Sequence, residues 1–220
     1  MTIDIIIVVF IGYLCFQGYR RGFIKTVFDT LGIIISFFLS KEVYRFAENF
    51  LLKNTKLFVK LHDFFEAKLS ENVVRNINSN IPVELQKFVN NALINEASDT
   101  FAVFVDNISL LLLRSISFVI TFLTIYAALL LISTLINTIM KLPILNLTNR
   151  LFGAFMGILK GAILLYLIFA LAAPLLSFMQ DKPFTKSVLN SESSKIFYKN
   201  NIILNYLSYK GFYDNPNYMY

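Results

Sequence analysis

Four long apolar stretches constrain the fold of this chain more than any other feature. They cover about residues 3–19, 22–40, 110–140 and 151–179. A helix needs roughly 20 apolar residues to cross about 30 Å of hydrocarbon. The last two stretches are comfortably long enough, and the first is near the lower limit. We therefore predict an all-α polytopic protein with four transmembrane helices.

The composition also indicates that much of the chain lies in lipid. Hydrophobic residues make up 56% of the 220-residue chain and charged residues only 15%, where a soluble domain carries about 25% charged residues. A small globular domain cannot bury that much apolar surface, because roughly a third of the surface of its unfolded chain stays exposed. Soluble enzymes and disordered proteins are excluded, and the lipid bilayer is the expected partner.

The chemistry-bearing residues are few. Cys15 is the single cysteine and His62 the single histidine, which excludes an internal disulfide framework and a cysteine or histidine metal cluster. The sequence has no HExxH, P-loop or GxGxxG motif, and Asp29 is the one clear acid within the spans. We expect no enzyme activity, no catalytic residue, no metal site and no cofactor. The net charge of +6 is not gathered into a dense basic run, so no nucleic-acid partner is expected.

Charges next to the spans predict the topology. Asp4 precedes the first apolar stretch and Arg20 and Arg21 follow it, which is the reverse of a signal peptide. By the positive-inside rule, this first connection is cytoplasmic. The short connection that holds Arg150 has no acid and is also cytoplasmic. The N-terminus and the long segment between the second and third spans then lie on the outer side of the plasma membrane.

Two regions extend the membrane domain, which covers residues 1–179. The insertion 41–107 carries apolar residues at helical spacing in two places, which predicts amphipathic helices. The first set is Leu57, Leu61, Phe64, Phe65 and Leu69, and the second, after a helix start at Asn80 and Pro82, is Leu85, Phe88, Val89, Ala92 and Leu93. The C-terminal tail covers 180–220. Its part from residue 196 is rich in tyrosine and asparagine, and is interpreted as a poorly ordered interfacial segment.

Charged residues within spans are candidates for function, because placing one in hydrocarbon costs about 2.5–3.5 kcal/mol. Lys25 and Asp29 are four residues apart in the second span and are expected to neutralise each other. Arg114, near the start of the third span, is interpreted as snorkelling to the interface. Lys160 is the most costly, roughly 14 Å into the fourth span at about 1.5 Å per residue. It is expected either to pair with Asp29 or a carbonyl, or to line a pathway.

Glycines mark a helix-packing face. Gly153, Gly157 and Gly161 recur every four residues in the fourth span, a spacing that lets another backbone approach closely, within one chain or between chains. Gly18 and Gly22 have the same spacing around the basic connection, where they are expected to mark a tight turn.

Two sequence blocks resemble the colicin V production protein family of bacterial inner-membrane proteins. One is Asp4, an apolar span, and Gly18-Tyr-Arg-Arg-Gly22-Phe. The other runs from Leu142-Pro143 through Asn149-Arg150 and the three glycines to Lys160-Gly161. Asn149 stands where the family usually has an acid, and Lys160 where arginine is common. The resemblance implies four inner-membrane spans, a turn at Pro143, and an association with toxin production or export and envelope homeostasis.

The leading functional hypothesis is a non-enzymatic membrane protein that acts through helix association, as a homo-oligomer or with other membrane proteins. One alternative is a small oligomeric channel or transporter with a pathway near Lys160 and the Lys25/Asp29 pair. The other is a scaffold that presents the insertion 41–107 to an envelope partner.

Overall fold

The chain folds into eight described α-helices, and the described residues contain no strand. The computed structural model describes residues 2–68, 82, 85–86, 100–139, 147–180, 182–199 and 201–212, with the side chains of 133–139 excepted. The long helices are α1 (Thr2–Arg21), α2 (Phe23–Asn54), α4 (Thr100–Ile139) and α5 (Leu147–Phe178). The short ones are α3 (Leu57–Lys68), α6 (Pro183–Leu189), α7 (Glu192–Tyr198) and α8 (Ile202–Tyr209).

The four long helices are each long and apolar enough to cross a membrane, which confirms the predicted all-α polytopic fold. Helix α2 continues to Asn54, well beyond the apolar stretch that ends near Ser40, and α4 begins at Thr100, before its apolar stretch. Apolar content therefore locates a span, but it does not locate the ends of a helix that continues past the hydrocarbon. The second helix predicted for the insertion lies outside the described residues, except for Pro82, Leu85 and Gln86.

Helix α2 satisfies its own hydroxyl groups, as a helix in lipid must. The hydroxyls of Thr26, Thr30, Ser36 and Ser40 each donate to the carbonyl four residues earlier, at 2.5–2.7 Å. All four side chains are buried. Polar residues on this face of α2 therefore cost little in an apolar environment, because none leaves a donor unpaired.

The chain divides into two compact units. Unit 1 comprises residues 1–47 and 117–165, and unit 2 comprises 48–116 and 166–220. In unit 1, Phe118 of α4 packs against two aromatic rings of α2, with centroids 5.7 Å from Phe37 and 6.4 Å from Tyr44. All three rings are buried, so they form part of this unit's apolar core.

Unit 2 has its own core, built from α3, α4 and the end of α5. Phe65, Phe104 and Phe178 are each at most 2% exposed and pack together with Val105 and Ile108. The Phe104 and Phe178 rings meet edge to face at 5.7 Å. Part of the insertion thus packs into a core with a span.

The predicted poor order of the tail from residue 196 is wrong for the described part, which includes the end of α7 and all of α8. The preceding tail residues form α6 and the start of α7. Ser191 caps α7 by accepting from the Ser194 amide at 3.1 Å. Asn201 caps α8 by accepting from the Leu204 amide at 2.8 Å. Such caps satisfy backbone amides that the start of a helix leaves without a partner. Buried apolar side chains then hold each short helix in place. Isolated caps in a Tyr- and Asn-rich segment are hard to recognise without the packing.

The tail helices are attached to the end of α5. Tyr198 of α7 hydrogen-bonds Ser177 at 2.8 Å, and the Asn201 amide donates to the carbonyl of Tyr166 at 2.8 Å. Burial raises the pKa of Tyr198 to about 12. Its hydroxyl therefore stays protonated and keeps the Ser177 contact at neutral pH.

Candidate functional site: a buried charge cluster between three helices

Asp29 is the centre of the charge cluster in unit 1. Its Oδ2 accepts from Arg21 Nη1 at 2.5 Å and lies 3.6 Å from Lys160 Nζ. The side chains of Asp29 and Lys160 are 6% and 8% exposed, whereas Arg21 is 39% exposed. One carboxylate therefore joins three helices: Arg21 ends α1, Asp29 belongs to α2, and Lys160 belongs to α5.

Asp29 meets Lys160, which is one of the alternatives expected for that lysine, but it does not meet Lys25 as expected. Lys25, four residues earlier on the same helix, is exposed, and the carboxylate is met by Arg21 and Lys160 instead. The i,i+4 spacing permits a pair on a helix surface, but Asp29 faces inward, where cations from neighbouring helices reach it. Periodicity within one helix could not reveal those neighbours.

Close backbone contact holds α1 against α5. A Cβ added to Gly153 would collide with the Gly18 carbonyl oxygen and lie 2.9 Å from the Gly22 Cα. A Cβ added to Gly157 would collide with the Leu14 carbonyl oxygen and lie 3.0 Å from the Cα of Cys15. At these points the two backbones occupy the space that a side chain would need.

The remaining glycines differ in how tightly they are packed. A Cβ at Gly161 would lie 3.4 Å from Leu14 Cδ1 and 3.7 Å from Ile11 Cα, which is an ordinary contact. A Cβ at Gly12, also on α1, would meet nothing within 4 Å. The contact between α1 and α5 is therefore closest at the Gly153 and Gly157 end.

A single residue, Gly22, connects α1 to α2. Its φ of 79° lies in the left-handed region, which glycine adopts without the steric cost that other residues incur. The turn brings Phe23 to the start of α5, where its amide donates to Asn149 Oδ1 at 3.0 Å. This bond satisfies an amide at the beginning of α2, and it gives Asn149 a role that an amide side chain fulfils without adding charge.

The other predicted residues lie near this cluster without joining the Asp29 contacts. The Arg150 guanidinium lies over the Tyr19 ring at 5.9 Å, and that of Arg20 lies over the Phe16 ring at 5.9 Å. These are cation–π distances. Pro143, predicted to form a turn, lies outside the described residues.

A second buried ion pair lies in unit 2, and the sequence analysis missed it. Arg114 is 5% exposed, so the prediction that it snorkels to an interface is wrong. Its Nε lies 3.3 Å from Glu48 Oε1, and its Nη1 donates to the Phe212 carbonyl at 2.5 Å. The partners are 66 and 98 residues away in sequence. The signal that could have found this pair is the guanidinium itself, within the apolar stretch of α4 that begins near residue 110.

Replacing Glu48 by Gln tests this pair. We expect Glu48→Gln to lower the free energy of unfolding by about 3 kcal/mol, because Arg114 would keep a buried positive charge without its carboxylate. Thermal unfolding of the purified protein in detergent measures the loss. Glu42→Gln is the control, since Glu42 is a solvent-exposed acid on the same helix. Equal stability of the two variants would contradict a stabilising role for the buried pair.

His62 of α3 also has acidic neighbours. Its Nε2 lies 3.3 Å from Asp106 Oδ1, and its Nδ1 lies 3.9 Å from carboxylate oxygens of both Asp63 and Glu66. His62, Asp63 and Glu66 have the residue types of a metal-ligand set. All three acids are more than half exposed, which is equally typical of a solvated ion-pair network.

The fold and the buried charges define a class of protein: a polytopic α-helical membrane protein with an ion-paired core. The family model described as "Colicin V production protein" matches residues 3–200. Since that match covers most of the chain, the chain belongs to the colicin V production protein family. No curated protein and no solved structure matches it.

Proposed function

We propose that this chain is a non-enzymatic membrane protein that supports toxin production or export, or envelope homeostasis, through the association of its helices. Membership of the colicin V production protein family supports the general role. The observation that carries the mechanism is Asp29, a buried carboxylate that contacts cations from two other helices. Together with the glycine contacts, it favours a fixed arrangement of α1, α2 and α5.

The same observation argues against the channel alternative. A pathway that selects anions needs an ammonium group facing the permeating ion. Lys160 is instead 8% exposed on its side chain and lies beside a carboxylate. We therefore favour an architectural role for Lys160.

The glycine contacts also bear on oligomerisation. Gly153 and Gly157 already face α1 of their own chain, so a partner chain would have to use another surface. Helix α1 offers one, because it is the least buried of the four candidate spans. Exposed apolar side chains on it are Ile5, Ile6, Val8, Val9, Tyr13 and Phe16. Association with a second copy or another membrane protein through α1 is part of the proposal.

Cysteine crosslinking tests the association of α1 with α5. In a Cys15→Ser background, we expect Ile11→Cys with Gly161→Cys to form a disulfide within one chain under mild oxidation. The reason is that a Cβ at position 161 lies 3.7 Å from the Ile11 Cα, within the range a disulfide can bridge. Gly12→Cys with Gly161→Cys is the control, because position 12 faces open space. Mass spectrometry and non-reducing gels distinguish the products.

The crosslink also separates the functional alternatives. If the fixed arrangement of the helices is sufficient for function, the crosslinked protein restores the envelope of a strain that lacks the gene as well as the wild-type protein does. A phenotype lost only after oxidation would show that the helices must separate, as a transporter requires. A disulfide mainly between chains would contradict association within the chain.

We further propose that the N-terminus, the insertion and the tail lie on the outer side of the plasma membrane. Arg20 and Arg21 next to the first connection support this orientation. Reporter fusions at positions 60 and 220 are expected to be active on the outer side, and a fusion at 145 on the cytoplasmic side. The opposite pattern would reverse the proposed topology without affecting the packing.

A further inference from the structure

The tail helices carry an excess of positive charge. In the full sequence the tail, 180–220, carries five lysines and three acids, Asp181, Glu192 and Asp214. Lys182, Lys186, Lys199 and Lys210 are exposed. A fold does not need this imbalance, because a solvated surface of mixed sign serves equally well. The excess is therefore a feature to be explained.

A cavity of about 140 Å³ lies in this part of unit 2. Its lining is Val188, Leu189, Asn190, Ser194, Lys195, Tyr198 and Lys199. A single water molecule needs roughly 10–15 Å³ of such volume, so the cavity has room for a small polar group. It combines apolar residues of α6 with Lys195 of α7 and with Lys199, the residue that follows α7.

The polar groups of the cavity suit an anion. Lys195 of α7 is four residues before Lys199, the C-cap residue, whose backbone is still helical. Their ammonium groups therefore lie on one helical face. Lys195 also pairs with the exposed Glu192 at 2.5 Å, an exposed ion pair of the weak kind. Ser194 is 1% exposed, and its Oγ has no hydrogen-bond partner in the structure.

The surroundings of the cavity are apolar and adjoin a span. Phe184, Ile196 and Ile202 are 62–72% exposed, and Tyr209 is 82% exposed. Helix α5, a candidate span, ends at Phe178, five residues before α6 begins. The tail helices therefore follow directly after a candidate span. Exposed apolar residues between lysines are typical of helices that lie in the bilayer interface.

We propose that helices α6 and α7 bind the headgroup phosphate of an anionic phospholipid, with Lys195 and Lys199 as its cationic contacts. The exposed apolar side chains of the three tail helices then face the acyl-chain boundary, as in other interfacial helices. This site is separate from the Asp29 cluster, and it holds whether or not the proposed export or envelope role is correct.

Native mass spectrometry of the purified full-length wild-type protein tests the preference without any substitution. The protein in detergent is mixed with equal amounts of dioleoyl phosphatidylglycerol and dioleoyl phosphatidylcholine. We expect phosphatidylglycerol adducts to predominate. Equal adducts of the two lipids would overturn the proposal.

Adding inorganic phosphate distinguishes a phospholipid headgroup from free phosphate as the source of the phosphate group. If inorganic phosphate fails to displace the lipid, the site is one for a phospholipid. If inorganic phosphate displaces phosphatidylglycerol so that neither lipid is preferred, the cavity is a site for free phosphate and the lipid proposal is overturned.

A matched pair of variants tests the cavity itself. We expect Lys195→Gln with Lys199→Gln to lower the affinity for phosphatidylglycerol about 25-fold, since each lysine near a headgroup contributes about five-fold. Lys182→Gln with Lys186→Gln removes the same charge outside the cavity lining and serves as the control. An equal loss in both pairs would show general surface attraction and overturn the site. Lys199→Gln alone, at an exposed position, provides the measurement if the double variant fails to fold.

Discussion

Asp29→Asn is expected to cause one of the two largest losses of stability from a single substitution in this protein. The carboxylate neutralises Lys160, whose side chain is 8% exposed, and it contacts Arg21 at 2.5 Å. Without it, Arg21 can turn toward water because it is 39% exposed, but Lys160 cannot. Removing one partner of a buried pair costs about 3–5 kcal/mol, and we expect a loss of about 3 kcal/mol in the free energy of unfolding.

Thermal unfolding in detergent measures this loss, and two further variants identify its cause. Lys25→Gln removes an exposed charge of the same helix and is expected to change stability by less than about 0.5 kcal/mol. Asp29→Asn combined with Lys160→Met removes the stranded ammonium, and it should recover most of the loss. If the double variant is no more stable than Asp29→Asn alone, the lysine is not the source of the effect.

Gly157→Ala is expected to destabilise the protein by about 1–3 kcal/mol, the usual cost of forcing extra atoms into a packed interface. The added methyl would collide with the Leu14 carbonyl oxygen and lie 3.0 Å from Cys15 Cα. Both are backbone atoms, so no side-chain rotation can relieve the collision and α1 must move away from α5.

Gly12→Ala is the matched control for Gly157→Ala. It adds the same methyl on α1, where nothing lies within 4 Å. Because alanine favours a helix over glycine by up to about 1 kcal/mol, we expect this variant to be as stable as the wild type or slightly more stable. The two melting temperatures should therefore move apart. If both variants shift equally, helix propensity and not interhelical contact decides the outcome.

The spans, the residues of the charge cluster and, as one alternative, the pairing of Lys160 with Asp29 could be predicted from the sequence, but the contact of Arg21 with Asp29 could not. Apolar length identifies a membrane helix, and an ion such as Lys160 is conspicuous in it. Asp29, 131 positions earlier, is the one clear acid of the spans and so a candidate partner of Lys160. Helical periodicity carries no information about contacts between helices, and so it could not indicate Arg21. Family resemblance drew attention to Gly18, Gly22 and Gly153 without indicating that α1 and α5 meet there.

Arg114 and the tail illustrate a different limit. The charge of a residue near the end of an apolar stretch can be solvated by water or paired with a buried partner. The local sequence around Arg114 is compatible with both arrangements. The partner is decided by Glu48 and by the carbonyl of Phe212. The tail supplies that carbonyl. Because the composition of the tail predicts poor order, the sequence alone does not suggest the tail as a partner of Arg114.

The dependence of Arg114 on Phe212 has a consequence for biosynthesis. Unit 2 combines residues 48–116 with 166–220, so its earlier half leaves the ribosome long before its later half exists. During translation, Arg114 is therefore made 98 residues before the Phe212 carbonyl that its guanidinium contacts. Such long sequence separations slow folding, and a nascent chain with this gap unfilled exposes surfaces on which membrane chaperones and quality-control proteases act.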